Sequence, residues 1–347
     1  MANQESSESK LVAENGDEIP AEYLEKDGLS EAIDIPDTWK DSLLLDLSLL
    51  SSSTPASEPE HVKLRSALSE WGCFQIKNHG IESSFQEELI EVSKQFFALA
   101  SEEKLKYSAS DVFLGYGSDN YGKDGQSNWN YRITLVISPD GKRDLQLWPQ
   151  KPEKFRGMID EYSKKLLAMT EVIYKAMAKS LNLEQDCFLN HPATQGAIVG
   201  RFGYYPRCPC PERVLGVKPH TDGSTMTIVL GDDQVEGLQI KKDDQWYKVP
   251  VNPGVLFVNL GDIGEVMTNG VFKAAVHRVV TNSSKGRISV TGFCIPEKKT
   301  HIEPLSELVS LHRPQMFKKL NTDEYWKIYY ENYPYGKVRK TIDVFRF

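Results

Sequence analysis

The sequence predicts a mainly β fold with flanking helices, built on a distorted double-stranded β-helix (jelly roll) core. Three observations predict it. From Ala197 to Phe293, short β-prone runs alternate with Gly, Asn and Asp turns, the spacing of a sandwich or barrel. The chain before that stretch carries helical patterns, so helices wrap a β core instead of alternating with its strands. The residues with metal-binding chemistry, His220, Asp222 and His277, fall inside the β-rich stretch, where two packed sheets can surround them.

The elements follow in order. Residues 1–28 are rich in Glu and Ser and read as a mobile leader. Leu43 to Leu50 reads as a strand and Ser51 to Glu60 as a Ser/Pro loop. A helix from about His61 to Glu70 leads into the strand Cys73-Phe74-Gln75-Ile76. Phe85 to Leu99 sets Leu89, Ile90, Val92, Phe96, Phe97 and Leu99 near helical spacing. Phe113 to Ile137 mixes Gly turns with a β-prone segment. Pro152 to Leu183 reads as one long helix or two, opening near a Pro and a Glu. The C-terminal segment reads as helical and then irregular, with a tyrosine-rich tail. The divisions expected are a leader (1–28), a helical and mixed region packing on the core (29–190), the jelly-roll core (191–300) and a C-terminal helical segment near the site's mouth (301–347).

Bulk composition narrows the function. In 347 residues, 40% hydrophobic and 26% charged content is ordinary for a soluble globular protein. A net charge of −8 without a basic cluster excludes a nucleic-acid footprint. No apolar run approaches a membrane span. The N-terminus is acidic and polar, with neither the basic start nor the apolar stretch of a secretory signal, so the cytoplasm is the expected compartment. Five cysteines is a low, odd count. Cys208 and Cys210 lack the second pair that a zinc site needs, so reduced thiols are expected.

The chemistry begins at His220-Thr221-Asp222. In an extended segment, residues i and i+2 point to one face, so one strand can offer both side chains to one metal. His277 lies in the β-prone run Phe272 to Val280, after Asn269-Gly270, a strong hairpin signal. Two imidazoles and one carboxylate form the 2-His-1-carboxylate triad of non-haem Fe(II) oxygenases, which leaves positions open. Those positions suit a bidentate 2-oxo acid and dioxygen. In Gly286 to Phe293, residues Arg287, Ser289, Thr291 and Phe293 alternate onto one face. There Arg287 can fork a carboxylate as Lys cannot. Ser289 adds a hydroxyl, and Tyr205 can add a phenol.

These residues resemble those of plant 2-oxoglutarate- and Fe(II)-dependent dioxygenases of the flavonoid- and alkaloid-modifying type, in the isopenicillin-N-synthase-like superfamily. The matching runs are Trp71 to Gly80, Tyr204 to Pro209, Leu215 to Ser224, Asn259 to Asp262, Thr268 to Gly270, His277 to Val280 and Arg287 to Ser289. They keep the family order from about Ile33 to the C-terminus. The resemblance implies His220, Asp222 and His277 as iron ligands, with Arg287, Ser289 and Tyr205 on 2-oxoglutarate. It also implies Phe293 against an aromatic substrate and ascorbate as reductant. Two positions depart from the family: Gly203 replaces the Asn of Asn-x-Tyr, and Tyr131 stands where an Asp follows Trp-x. The latter position lies near the pocket mouth in relatives.

Other polar residues take structural readings. His79 reads as a buried turn residue, and His61, His191, His301 and His312 as surface residues. Arg278 is expected to turn from the metal and pair structurally. Asp262 is expected to cap a tight turn, and Lys241 to Asp244 to form a hairpin tip. Tyr116, Tyr131 and Phe317 are secondary candidates for the pocket wall. The expected activity is hydroxylation or O-demethylation of a plant specialised metabolite by a monomer: a flavonoid, alkaloid, phenylpropanoid or terpenoid. A gibberellin- or jasmonate-type hormone oxidase and a non-catalytic ligand-binding protein on the same scaffold are the alternatives.

Overall fold

A computed structural model describes residues 19–347 except 53, 110, 112, 120–126 and 333–339. In chain order, the strands of the first half are β1 (Ala32–Asp34), β2 (Leu44–Asp46), β3 (Cys73–Lys77), β4 (Gly115–Gly117) and β5 (Tyr131–Ser138). The second half adds β6 (Ala197–Tyr205), β7 (Leu215–His220), β8 (Met226–Gly231) and β9 (Leu238–Lys242). It continues with β10 (Gln245–Lys248), β11 (Leu256–Leu260), β12 (His277–Val280) and β13 (Arg287–Ile295).

These strands form two sheets. The smaller runs β1-β10-β9-β12-β7, and the larger runs β2-β3-β11-β8-β13-β6-β5-β4. They give the expected mainly β, jelly-roll architecture. The longest pairing joins β13 to β6, from Arg287 opposite Tyr205 to Ile295 opposite Ala197. That register fixes which residues of both strands face the interior, because a slip of one residue would reverse every side chain.

The first half is not a separate unit. Strands β2 to β5 extend the larger sheet, and the helix Phe155–Ser180 shares one hydrophobic core with it. That helix is the single-helix form of the Pro152 to Leu183 expectation. It buries Phe155, Ile159, Tyr162, Leu166, Met169, Ile173 and Met177 at helical spacing. Each fully buried apolar side chain of this size contributes about 1.5–3 kcal/mol. Gly292 on β13 lets the helix approach closely, since a Cβ there would lie 2.6 Å from Leu166 Cδ1.

Several expectations are corrected. Leu43 to Leu50 is not one strand. Asp46 accepts from the Ser48 amide and opens a helical turn, Leu47–Leu50, because a carboxylate there satisfies a free helix-start amide. The leader does not stay loose to residue 28: Ile19 and Tyr23 are buried, and Tyr23 sits edge-on to Trp129 at 5.1 Å. Residues 1–18 lie outside the described residues.

Asn269-Gly270 makes no hairpin. Both residues have positive φ and close the short helix Asp262–Met267, with amides returning to Val266 and Glu265 carbonyls, as helix ends do. The order near the C-terminus is reversed. An irregular stretch comes first, and the helix Thr322–Asn332 follows. The tyrosine-rich stretch at 333–339 lies outside the described residues.

His61 and His191 are buried, against the surface expectation. His61 Nδ1 meets the Ser57 carbonyl at 2.8 Å, and His191 Nδ1 accepts from the Ala193 amide at 3.1 Å. His301 and His312 are exposed, and His79 is the buried turn residue expected. Phe317 is fully buried, with Arg346 over its ring, so it is core and not pocket wall. Arg278 turns from His277 onto Trp246, 4.2 Å from the ring centre, and donates to Gln239. The five cysteines are free thiols.

Candidate active site

His220 ends β7 and His277 begins β12, and the two are cross-strand partners in the smaller sheet. Pairing therefore brings the rings together: their centroids lie 4.2 Å apart. Each ring places Nδ1 on a backbone carbonyl, Lys218 at 2.8 Å and Ala275 at 3.1 Å. A carbonyl only accepts, so each Nδ1 must carry the proton. Both Nε2 lone pairs are thereby turned inward, the tautomer that a metal requires.

Asp222 supplies the third group. Its Oδ1 lies 3.4 Å from His220 Nε2 and 3.6 Å from His277 Nε2. Asn259 on β11 donates to Oδ2 at 2.8 Å. Burial opposes ionisation of Asp222, but the two imidazoles and the Asn259 amide outweigh it and hold the carboxyl well below the usual range. Burial, reinforced by His220, lowers His277 to about 4, so its ring is neutral near pH 7. A carboxylate oxygen and two imidazole nitrogens within 4.8 Å of one another make a donor set that fits Fe(II). It is the only such cluster of His, Cys, Asp or Glu among the described residues.

A partly open cavity of about 70 Å³ surrounds the three residues between the sheets. Arg287, Ser289, Thr291 and Phe293 all line it, as their alternation along β13 predicts, and Tyr205 lines it from β6. Arg287 is buried, with its guanidinium carbon 5.5 Å from the Tyr205 ring centre. Among the described residues its Nε has no hydrogen-bond partner, and Tyr205 and the more distant Asp232 are the groups that favour its charge. A buried cationic donor left open is costly, and the carboxylate of a dicarboxylic acid fits it. Ser289 Oγ and Tyr205 Oη, 3.5 Å apart, stand beside it.

A second opening continues from Arg201, His220, Asp222 and Phe293 toward the surface, where Phe113, Trp326, Tyr329 and Tyr330 form its wall. Trp326 and Tyr330 stack at 5.8 Å. These residues were not singled out from the sequence, although aromatics at i and i+4 on one helix share a face. Arg201 was missed too. It pairs with buried Asp119, which also accepts from Arg132 Nε at 3.1 Å and Asn130 Nδ2 at 3.2 Å.

Tyr116 and Tyr131 do not join the site residues. They stack on each other in the hydrophobic core, at 6.5 Å, and neither is among the residues lining the two openings. The physical reason is strand pairing: Tyr116 lies opposite Ile133 on β5, and Tyr131 lies opposite Tyr204 on β6. Asp262 begins the short helix after β11 and accepts from the Tyr325 hydroxyl at 3.0 Å.

Comparison with known proteins agrees with this geometry. The sequence pattern of the 2OG-Fe(II) oxygenase superfamily matches residues 184–296, and that of the N-terminal region of a non-haem dioxygenase in morphine synthesis matches residues 44–151. The chain is 34% identical to jasmonate-induced oxygenase 4 of Arabidopsis thaliana over 299 residues, 84% of each protein. It is 36% identical to codeine O-demethylase of Papaver somniferum over 274 residues, 78% of this chain and 76% of that one. Among solved structures, JOX2 in complex with 2OG, Fe and JA superposes with a TM-score of 0.82 at 33% identity, covering 92% of both chains.

Proposed function

Because the chain belongs to the 2OG-Fe(II) oxygenase superfamily and is an Fe(II)- and 2-oxoglutarate-dependent dioxygenase, we propose a role for each residue of its cavity. His220, Asp222 and His277 hold the iron. Arg287 binds the distal carboxylate of 2-oxoglutarate, with Ser289 and Tyr205 adding hydroxyls. Iron and 2-oxoglutarate, when bound, supply the oxidising chemistry that inserts oxygen from dioxygen, with succinate and carbon dioxide released. The protein's own residues orient both groups and exclude water. The single observation that carries the anchor is the open, buried Arg287 Nε.

The organic substrate is an aromatic or polycyclic plant specialised metabolite, resting on Phe293 and the wall of Phe113, Trp326 and Tyr330. It is hydroxylated or O-demethylated, with ascorbate keeping the iron reduced. The stacked, half-buried wall supports this choice, since flat rings gain from offset or edge contact. We propose that the enzyme acts as a monomer. No helix among the described residues is long and apolar enough to cross a membrane, and we assign the enzyme to the cytoplasm.

A hormone-type acid is the second reading. Arg201 favours it, as the only Lys or Arg besides Arg287 among the residues lining the two openings. One experiment separates the readings. Purified protein with Fe(II), ascorbate and 2-oxoglutarate is offered flavonoids, alkaloids and jasmonate-type acids, and succinate and products are followed by mass spectrometry. Coupled turnover of a neutral or cationic aromatic supports the main reading. Turnover confined to acids, lost in their methyl esters and in Arg201→Gln, replaces it with the second.

A further inference from the structure

The helix Thr322–Asn332 touches the ligand loop as well as the cavity. Thr221 lies between His220 and Asp222, and the Tyr329 hydroxyl donates to its carbonyl at 3.1 Å. One turn earlier, Tyr325 holds Asp262, whose amide donates to the Asp222 carbonyl at 2.7 Å. Gly223 meets the same helix with bare backbone: an added Cβ would lie 2.5 Å from the Trp326 ring and 3.1 Å from Tyr325. Thr221, Asp222 and Gly223 are therefore all held, directly or through Asp262, by one helix. That helix also presents Trp326, Tyr329 and Tyr330 to the outer opening.

We infer that Tyr329 is a positioning residue of the metal site. Through its hydroxyl, the aromatic wall and the loop that carries Asp222 just after His220 move as one body. The inference rests on the assignment of His220, Asp222 and His277 to iron. Thr221 and Asp222 lie just past the end of β7, so the strand ladder does not fix them. A ligand loop that is already ordered binds metal more tightly than one that must order on binding. Linkage makes the effect reciprocal. A metal that tightens the loop favours the docked helix, and so does a substrate pressed on the wall.

Co(II), which resists oxidation and reports its coordination through visible absorption, is the probe. It is titrated into wild type, Tyr329→Phe, Tyr162→Phe, Gly223→Ala and Asp222→Ala. Tyr329→Phe is expected to weaken Co(II) about three- to tenfold, the scale of one neutral hydrogen bond, and to alter the visible band. Its metal-free melting temperature should fall by only a few degrees, the share of one hydrogen bond. Tyr162→Phe, which removes a core hydroxyl with no hydrogen-bond partner among the described residues, should match wild type in affinity and band. Gly223→Ala keeps the hydroxyl but displaces Trp326, and should weaken Co(II) in the same direction. Wild-type affinity and band in Tyr329→Phe or Gly223→Ala, or an equal loss in Tyr162→Phe, would overturn the inference. Absence of Co(II) binding by wild type, or full binding by Asp222→Ala, would instead remove the triad assignment and the inference with it.

Discussion

Asn259 donates its side-chain amide to Oδ2 of Asp222, leaving Oδ1 directed at His220 and His277. One amide on an otherwise apolar, fully buried strand thus orients the only anionic donor of the triad. Removing such a partner of a ligand typically costs 10–100-fold in metal affinity or activity. Asn259→Ala is therefore expected to weaken Co(II) or Fe(II) binding by about one order of magnitude, read by equilibrium titration of the metal-free protein. An affinity equal to wild type would show that Asp222 is held by its neighbours alone.

Arg287 gives the second prediction. Hydrogen bonds to charged groups contribute about 1.5–3 kcal/mol each, and a two-pronged fork makes two. Arg287→Ala should raise the dissociation constant of 2-oxoglutarate by roughly two orders of magnitude or more, and Arg287→Lys should recover only part. Metal affinity without 2-oxoglutarate should be unchanged, because Arg287 makes no contact with the three ligands. Calorimetric titration with 2-oxoglutarate under anaerobic conditions checks both variants. Equal affinity in Arg287→Ala would move the anchor elsewhere.

The co-substrate residues were legible because they follow strand alternation, and the metal ligands were legible from residue type and spacing, although Asp222 lies just past the end of β7 and not in an extended strand with His220. Arg287, Ser289, Thr291 and Phe293 line one cavity because a strand has period two, and β13 is regular over that span. Tyr116 and Tyr131 were not legible in the same way. The face each ring takes depends on pairing with β5 and β6, which no local pattern shows. Asn269-Gly270 carried true turn chemistry, but its positive φ values serve a helix end. The short helix before it has no periodic signature of its own. The wall of Trp326, Tyr329 and Tyr330 was missed because a helix's target depends on tertiary packing, not on its own spacing.

Gly203 has ordinary strand backbone, so its departure from the family Asn is a matter of space. It lies opposite Ser289, and a Cβ there would stand 3.2 Å from Ser289 Oγ and 3.4 Å from Tyr205 Oη. Those hydroxyls must shift by a few tenths of an ångström to admit a side chain. The crowding makes any side chain there a modest cost to co-substrate binding. Gly203→Ala and Gly203→Asn should weaken 2-oxoglutarate a few-fold, well below the loss in Arg287→Ala, and leave metal affinity unchanged. Tighter binding in Gly203→Asn would show that its amide replaces what the hydroxyls lose.

Phe293 is half-buried and borders both the triad cavity and the outer opening. On β13 it pairs with Val199 on one side and Thr227 on the other, so its backbone is fixed while its ring edges the site. A ring stacked on an aromatic substrate contributes about 0.5–1.5 kcal/mol beyond burial, equivalent to a change of a few-fold to tenfold in binding. Phe293→Ala should raise the Michaelis constant of an aromatic substrate by that factor and leave that of 2-oxoglutarate unchanged. Truncating a fully buried Phe costs about 3–5 kcal/mol of stability. A half-exposed ring should cost distinctly less, so the melting temperature should fall only modestly. A large drop in melting temperature with both Michaelis constants unchanged would make Phe293 a core residue and leave substrate contact to Trp326 and Tyr330.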